Sequence, residues 1–221
     1  MVKRAFHLCA ILLPAALSAA CVTQQVSGPL SDKRAAESAI VIVSATHEYA
    51  IGRSARAIFY IDSKEGFTRQ RLLHTIEDVF GIPTGSDFED LYGKVYVLEL
   101  EPGKHSVDFW QVPTSGGRLM PRERPVPLDF IVQAGETIYL GNLHMHIARG
   151  RNVFGMPVAG DAVPEIRDRR DVDLAVAERK VPGIKSRAVV RTLSLGSWGR
   201  PADQTERRMD PPPVVAPPPS R

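Results

Sequence analysis

The cysteine content of this chain excludes an internal disulfide once a predicted secretion signal is removed. The 221-residue sequence contains two cysteines, Cys9 and Cys21. Residues 1–20 have the pattern of a secretion signal, because Lys3 and Arg4 precede an apolar stretch that ends in small residues. The stretch is shorter than the roughly twenty apolar residues that a membrane-spanning helix needs. Because Cys9 leaves with the signal, the mature chain keeps one thiol and cannot form an internal disulfide.

Cys21 directly follows three small residues, 18–20. This arrangement resembles the cleavage and lipidation site of bacterial lipoproteins, in which the cysteine becomes the acylated first residue of the mature protein. A leucine usually lies three residues before that cysteine; here Ser18 takes the place and Leu17 precedes it. The resemblance implies that acylated Cys21 binds the membrane, and Val22 after it implies the outer membrane, with the domain facing the periplasm. The alternative is ordinary cleavage after residue 20, which gives a soluble periplasmic protein.

The charge composition argues against a nucleic-acid partner. The chain has 28 basic and 25 acidic residues, and loss of the two basic residues in the signal leaves a net charge of +1. No block of five like charges remains, so no basic surface for phosphates is predicted. Glycine-rich phosphate loops are absent from the sequence as well, and we expect no cofactor.

Composition divides the mature chain into three parts. Residues 21–37 are polar and small, which is typical of a linker behind the anchoring cysteine. Residues 196–221 contain two proline triplets, which favour extended chain over helix or sheet, so a disordered tail is predicted. The predicted folded domain is residues 38–195.

The domain sequence is dominated by strand patterns. β-Branched or alternating apolar runs separated by turn residues predict at least six strands, at 39–45, 56–62, 94–100, 105–110, 128–132 and 137–148, the last bent at Gly141. Many short strands with short turns predict a mainly β fold, a sandwich or a barrel.

Three local patterns refine this prediction. Pro102 and Gly103 predict a type II turn that closes a hairpin between strands 94–100 and 105–110. Asp168 as a cap, acidic residues in the first turn and Pro182 after the last predict one C-terminal helix. Residues 67–80 fit a strand or a second short helix, and the apolar spacing slightly favours the helix.

Two segments resemble a family. Residues 98–105 (LELEPGKH) and 131–143 (IVQAGETIYLGNL) are similar to segments of uncharacterised proteobacterial envelope lipoproteins with a small β-sandwich domain. The resemblance covers about residues 90–183 and implies an immunoglobulin-like or transthyretin-like sandwich. It implies no activity and no site residues.

The sharpest chemical candidate is His144-Met145-His146. Residues two apart on a strand project to one face, about 7 Å apart at Cα, a spacing that zinc and copper sites use. His105 or His47 could supply a third ligand. The competing interpretation, which we favour from sequence, is that His144 and His146 form the solvent-facing half of an ordinary strand whose other residues face the core.

No enzyme signature was found, and a non-catalytic protein is predicted. His47-Glu48 has no second histidine four residues later, so it is not a metalloprotease motif. Asp171 and Asp173 diverge on the predicted helix and suffice as partners of its dipole. The sequence therefore predicts an accessory or adaptor lipoprotein at the outer membrane, with an envelope protein as a candidate partner. The alternative is a periplasmic ligand- or metal-binding module that uses the His144/His146 strand.

Overall fold

The computed structural model describes residues 25–29, 36–48, 56–65, 70–76, 78–79, 82–83, 85–114, 117–151, 155 and 157–198. The predicted signal and Cys21 lie outside these residues. Within them the chain forms thirteen strands, most of them in two sheets that pack face to face, and two α-helices. The prediction of a mainly β sandwich with a C-terminal helix is confirmed.

The larger sheet has six strands and carries most of the long ones. They are β1 (Ala39–Glu48), β6 (Leu91–Leu100), β10 (Thr137–Arg151), β11 (Pro157–Arg167), β12 (Val189–Val190) and β13 (Gly196–Ser197). The order is β13-β11-β10-β1-β6, and β12 extends the pairing of β10. β1 is parallel to β10 and antiparallel to β6, and β10 is antiparallel to β11.

The smaller sheet is built around one long strand. Its members are β2 (Ile58–Ile61), β3 (Arg71–His74), β7 (Gly103–Thr114), β8 (Gly117–Leu119) and β9 (Leu128–Val132). β7 pairs with β2, β8 and β9, and β2 pairs with β3. A separate two-stranded ribbon contains β4 (Asp78–Val79) and β5 (Ile82–Pro83).

Alternation along the strands of the larger sheet creates two apolar layers. One face packs against the smaller sheet through buried residues such as Val41, Val43 and Leu98. The opposite face is covered in part by helix α1 (Arg170–Lys180), which buries Leu174 and Val176 on it. The helix packs near Ile40 and Ile42, at the end of the outer face where β1 begins, and the other end of that face carries polar side chains.

The predicted bend at Gly141 is confirmed and sets which side chains point outward. Gly141 has φ of 105°, and the pairing of β1 with β10 shifts register between Ile42 and Ser44. The extra residue is on β10, and it reverses which of the following side chains face the core and which face outward, as a β-bulge does. Leu140 and Leu143 therefore both enter the core, and the residues after Leu143 alternate from there.

The predicted hairpin at Pro102-Gly103 is wrong. β6 belongs to the larger sheet and β7 to the smaller one, so the turn crosses from one layer of the sandwich to the other. Gly103 has positive φ, 147°, but it begins strand β7, and this φ is far from the roughly +80° of the second central residue of a type II turn. A local turn sequence does not distinguish the two connections, because the partners of each strand are distant in the chain.

The helix favoured at residues 67–80 is also wrong. Arg71–His74 is strand β3 and Asp78–Val79 is strand β4, while residues 66–69, 77 and 80 lie outside the described part. Leu73 is fully buried between the sheets, and β3 pairs with β2. Strand pairing thus overrides the helical apolar spacing. A second short helix does exist, α2 (Ile184–Arg187), beyond the first.

Both predicted domain boundaries shift outward. Gln25 bridges to Leu98, the Val26 amide donates to the Val97 carbonyl at 2.8 Å, and Val26 is buried, so part of the predicted linker 21–37 pairs with β6. At the other end, β13 pairs with β11 and Trp198 is 4% exposed, so the domain does not end at residue 195.

The C-terminal helix is confirmed, but one of its acids has another role. The N-cap residue is Arg169, which makes no side-chain capping bond, so the predicted cap at Asp168 is one residue off; the Asp168 carboxylate still accepts from the Arg170 amide at 3.1 Å. Asp171 is exposed, whereas Asp173 is fully buried against the larger sheet. The two carboxylates therefore diverge as predicted, and Asp173 belongs to a buried polar network.

Candidate metal centre

A row of polar side chains crosses the outer face of the larger sheet, at the end that helix α1 does not cover. β1 contributes Ser44, Thr46 and Glu48, and β10 contributes Asn142, His144 and His146. Parallel pairing places Ser44 opposite Asn142 and Thr46 opposite His144. The alternating polar residues of the two strands, about 96 residues apart in sequence, thus become neighbours on one face.

Glu48, His144 and His146 converge at the end of this row. One ligand atom from each lies within 4.8 Å of the other two, and no other group of three histidines, cysteines or acidic residues in the described chain is as close. His144 Nε2 is 3.4 Å from Glu48 Oε1, and His146 Nδ1 contacts the same carboxylate oxygen. Bonds of about 2.0–2.1 Å to a tetrahedral zinc ion would place ligand atoms roughly 3.4 Å apart.

Each of the three groups is held by a second partner on its far side. The Ile147 amide donates to Glu48 Oε2 at 3.1 Å. Thr46 Oγ1 lies 2.8 Å from His144 Nδ1. Glu165 Oε2 and Arg167 Nη2 each lie 2.8 Å from His146 Nε2. Carboxylate and hydroxyl partners on the other nitrogen of a histidine fix its orientation, as they do in metal sites.

The polar row continues under the helix as a hydrogen-bonded chain. Asn142 Nδ2 donates to Ser44 Oγ at 2.7 Å, and Ser44 donates to Asp173 Oδ2 at 2.5 Å. The Tyr139 hydroxyl donates to the same carboxylate oxygen at 2.7 Å. Ser44, Thr46, Asn142, His144 and Asp173 all have 0% exposure, so bulk water does not compete for these bonds.

A loop and an arginine cover this part of the sheet. Gly93, opposite Thr46 on β6, has no side chain, and a Cβ there would lie 2.5 Å from Thr46 Cγ2 and 3.1 Å from Phe88. Phe88 is buried, and the Arg169 guanidinium lies 5.2 Å from its ring centroid and 3.3 Å from Asp90. The interior of the row is therefore closed, while the side chains of Glu48 and His146 are 33% and 43% exposed.

Burial and charge set the ionisation of the cluster. Burial, together with the nearby Arg167, lowers the pKa of His144 to about 4, so its ring is neutral at neutral pH. Burial alone would raise the pKa of Glu48, but the Ile147 amide and the two histidines outweigh it and hold that pKa below its ordinary value. Burial raises the pKa of Asp173. The cluster thus combines a neutral imidazole with a carboxylate.

The favoured interpretation of both histidines as a solvent-facing strand is wrong for His144. The core residues Leu143, Met145 and Ile147 alternate with them as predicted. His144, however, is completely buried on the outer face, because the Phe88 loop and Arg169 cover the sheet there. His146 is half-exposed.

Neither histidine named as a third ligand joins the cluster. His47 points into the sandwich, where it is fully buried and stacks on Tyr92 with centroids 5.4 Å apart, and burial lowers its pKa to about 4. His105 lies on β7 in the other sheet and binds Asp62 Oδ2 through Nδ1 at 2.6 Å. The third group is Glu48, the neighbour of His47 in sequence.

The residues missed by the sequence analysis share one recognisable pattern. On β1, every second residue from Ser44 to Glu48 is polar. The same alternation from Asn142 to His146 was the signal that placed the two histidines on one face of their strand. Only the pairing of β1 with β10 joins the two patterns. Glu165 and Arg167 enter from β11 and had no signal of their own; the Arg167 Nε donates to Glu165 Oε2 at 2.7 Å.

Comparisons of this chain with protein-family models, with curated proteins and with solved structures found no match. Among the described residues, no helix has the length and apolar character needed to cross a membrane.

Proposed function

We propose that this chain is a non-catalytic envelope lipoprotein whose β-sandwich binds a divalent transition-metal ion through Glu48, His144 and His146. The observation that carries the proposal is the convergence of one atom from each residue within 4.8 Å, with the His144 Nε2 to Glu48 Oε1 distance of 3.4 Å. Three protein ligands leave one position of a tetrahedral ion for water or another ligand.

The donor set favours zinc or copper over calcium or magnesium. Two imidazoles and one carboxylate suit borderline metals, whereas calcium and magnesium prefer sites made of oxygen atoms. The second partners of the ligands support a metal site as well. Thr46, Glu165 and the Ile147 amide orient the three ligand groups toward a common point.

The proposed location follows from Cys21 and from the docked segment behind it. Gln25 is bridged to Leu98 on β6, and the four residues back to Cys21 span at most about 14 Å. An acylated Cys21 would therefore hold the domain close to the outer-membrane surface. Leu91, the β6 partner of Glu48, lies about 23 Å along the strand from Leu98, so the proposed metal site is at the far end of the sheet.

The metal proposal is tested on the untagged mature chain carrying Cys21→Ser, which removes the thiol as a competing ligand. Zinc at one hundred times its dissociation constant should stabilise the protein by about 2.7 kcal/mol. Differential scanning calorimetry should show this gain for the parent chain and for His74→Gln, a histidine on β3 outside the cluster. The gain should be lost in Glu48→Gln and in His146→Gln.

An equal zinc response in the parent chain and in His146→Gln would contradict the proposal, as would no response from either zinc or copper. His146 is the more informative position, because its side chain is 43% exposed and its replacement removes little buried contact.

The anchor is tested separately in the exporting cell. Mass spectrometry of the wild-type protein should find acyl mass on the peptide that begins at Cys21, and Cys21→Ser should move the protein from the membrane to the soluble periplasm. Soluble wild-type protein with a free Cys21 thiol would refute the lipoprotein part and leave the metal site untouched.

A further inference from the structure

We infer that the Thr46 hydroxyl, oriented by Asn142, selects the tautomer of His144 that can bind a metal ion through Nε2. The inference rests on the proposed function and assigns positioning roles to residues that do not contact the ion. It concerns where one proton lies in the buried chain between His144 and Asp173.

Thr46 sits at a branching point with two possible acceptors for its single proton. Its Oγ1 lies 2.8 Å from His144 Nδ1, 3.1 Å from Asn142 Oδ1 and 3.0 Å from Asn142 Nδ2. If Thr46 donates to His144 Nδ1, the ring carries its proton on Nε2, and that nitrogen cannot bind an ion. If Thr46 donates to Asn142 Oδ1 instead, it accepts from His144 Nδ1–H and leaves a lone pair on Nε2.

An ion on Nε2 requires the second arrangement, and the rest of the chain accommodates it. Ser44 and Tyr139 both donate to Asp173 Oδ2, so the Ser44 oxygen is available to accept from Asn142 Nδ2 at 2.7 Å. That bond fixes the Asn142 amide with Oδ1 available to Thr46. Thr46 Oγ1 then accepts from His144 Nδ1 and from the second hydrogen of Asn142 Nδ2, at 3.0 Å, and gives its own proton to Asn142 Oδ1. Asn142 Nδ2 and Ser44 continue the chain to the carboxylate of Asp173.

This directional chain is closed to water along its length. Its five members are completely buried, and Asp173 Oδ2 at its end accepts two hydroxyl donors. A hydrogen-bond chain in a region of low dielectric is strengthened by its charged or polar end group, because each bond polarises the next. Helix α1 thus acts on the metal site through Asp173 without touching it.

Thr46→Val is the decisive variant, because valine keeps the shape and the β-branch but removes the hydroxyl. His144 Nδ1–H then loses its acceptor, and the proton moves to Nε2, where Glu48 accepts it. Zinc affinity, measured by competition with a chromophoric chelator, should fall 10–100-fold, the range for lost outer partners of metal ligands. Thr46→Ser, which restores the hydroxyl, and Thr114→Val, at the end of β7 in the other sheet, should stay within about threefold of the parent chain.

Long-range ¹H–¹⁵N NMR of the zinc-loaded parent chain, labelled on histidine, supplies an independent reading. His144 should be protonated on Nδ1 and metal-bound through Nε2. Coordination through Nδ1, or parent affinity in a folded Thr46→Val, would overturn the inference and leave the metal-binding proposal standing. Absence of zinc binding by the parent chain would overturn both. If Thr46→Val does not fold, the NMR tautomer of the parent chain decides.

Discussion

Replacing Trp198 tests whether the chain after residue 195 is part of the domain. Trp198 is 4% exposed, its side chain packs in the core between the sheets, and its Nε1 donates to the Val126 carbonyl at 2.8 Å. A buried tryptophan removes about 150–250 Å² from water, which corresponds to roughly 4–6 kcal/mol at about 25 cal/mol per Å². Residual burial in the unfolded chain and side-chain ordering reduce that sum, so Trp198→Ala should cost about 3–4 kcal/mol.

The assay is thermal unfolding of the mature chain with Cys21→Ser. For a domain of this size, each kcal/mol lowers Tm by about 2–4 °C, so Trp198→Ala should lower Tm by roughly 6–16 °C. Leu195→Ala is the matched control: Leu195 is 59% exposed, and its loss should cost less than about 0.5 kcal/mol. A Tm for Trp198→Ala within 2 °C of the parent would refute the docking and restore the sequence-based boundary at residue 195.

Two further predictions concern the backbone and the pH response. Gly141→Ala places a Cβ 3.1 Å from the Arg167 carbonyl at φ of 105° and should cost about 1–3 kcal/mol in urea unfolding, whereas Gly85→Ala, with open space around it, should be nearly neutral. The bond to Asp62 raises the pKa of His105, against the opposing effect of burial. A raised pKa in the folded state stabilises the protein fully below the ordinary histidine pKa of about 6.5, and this stabilisation is lost as pH rises through the raised pKa. His105→Gln should therefore lower the free energy of unfolding more at pH 5.5 than at pH 9. Equal costs at both pH values would contradict this assignment.

The strands were predictable because their signals are local. A run such as residues 39–45 is β-branched and apolar over its whole length, and a glycine inside a strand pattern indicates a bulge, which Gly141 forms. The helix was predictable for the same reason, since the acidic residues of its first turn and the basic residues of its last turn lie within one short segment. Two histidines on one face of β10 likewise followed from a period of two.

Pairing between distant segments decided everything else. The turn at Pro102-Gly103 has the same local chemistry whether it closes a hairpin or joins two sheets, and the apolar residues near Leu73 fit a helix until β2 supplies a partner. Glu48 meets His144 only because β1 and β10 are parallel and in register over the polar row, about 96 residues apart in sequence. The sequence thus determined which segments are strands and which residue types could bind a metal. The tertiary structure decided which of those residues meet and which are shielded from water, because both depend on contacts that no short stretch of chain contains.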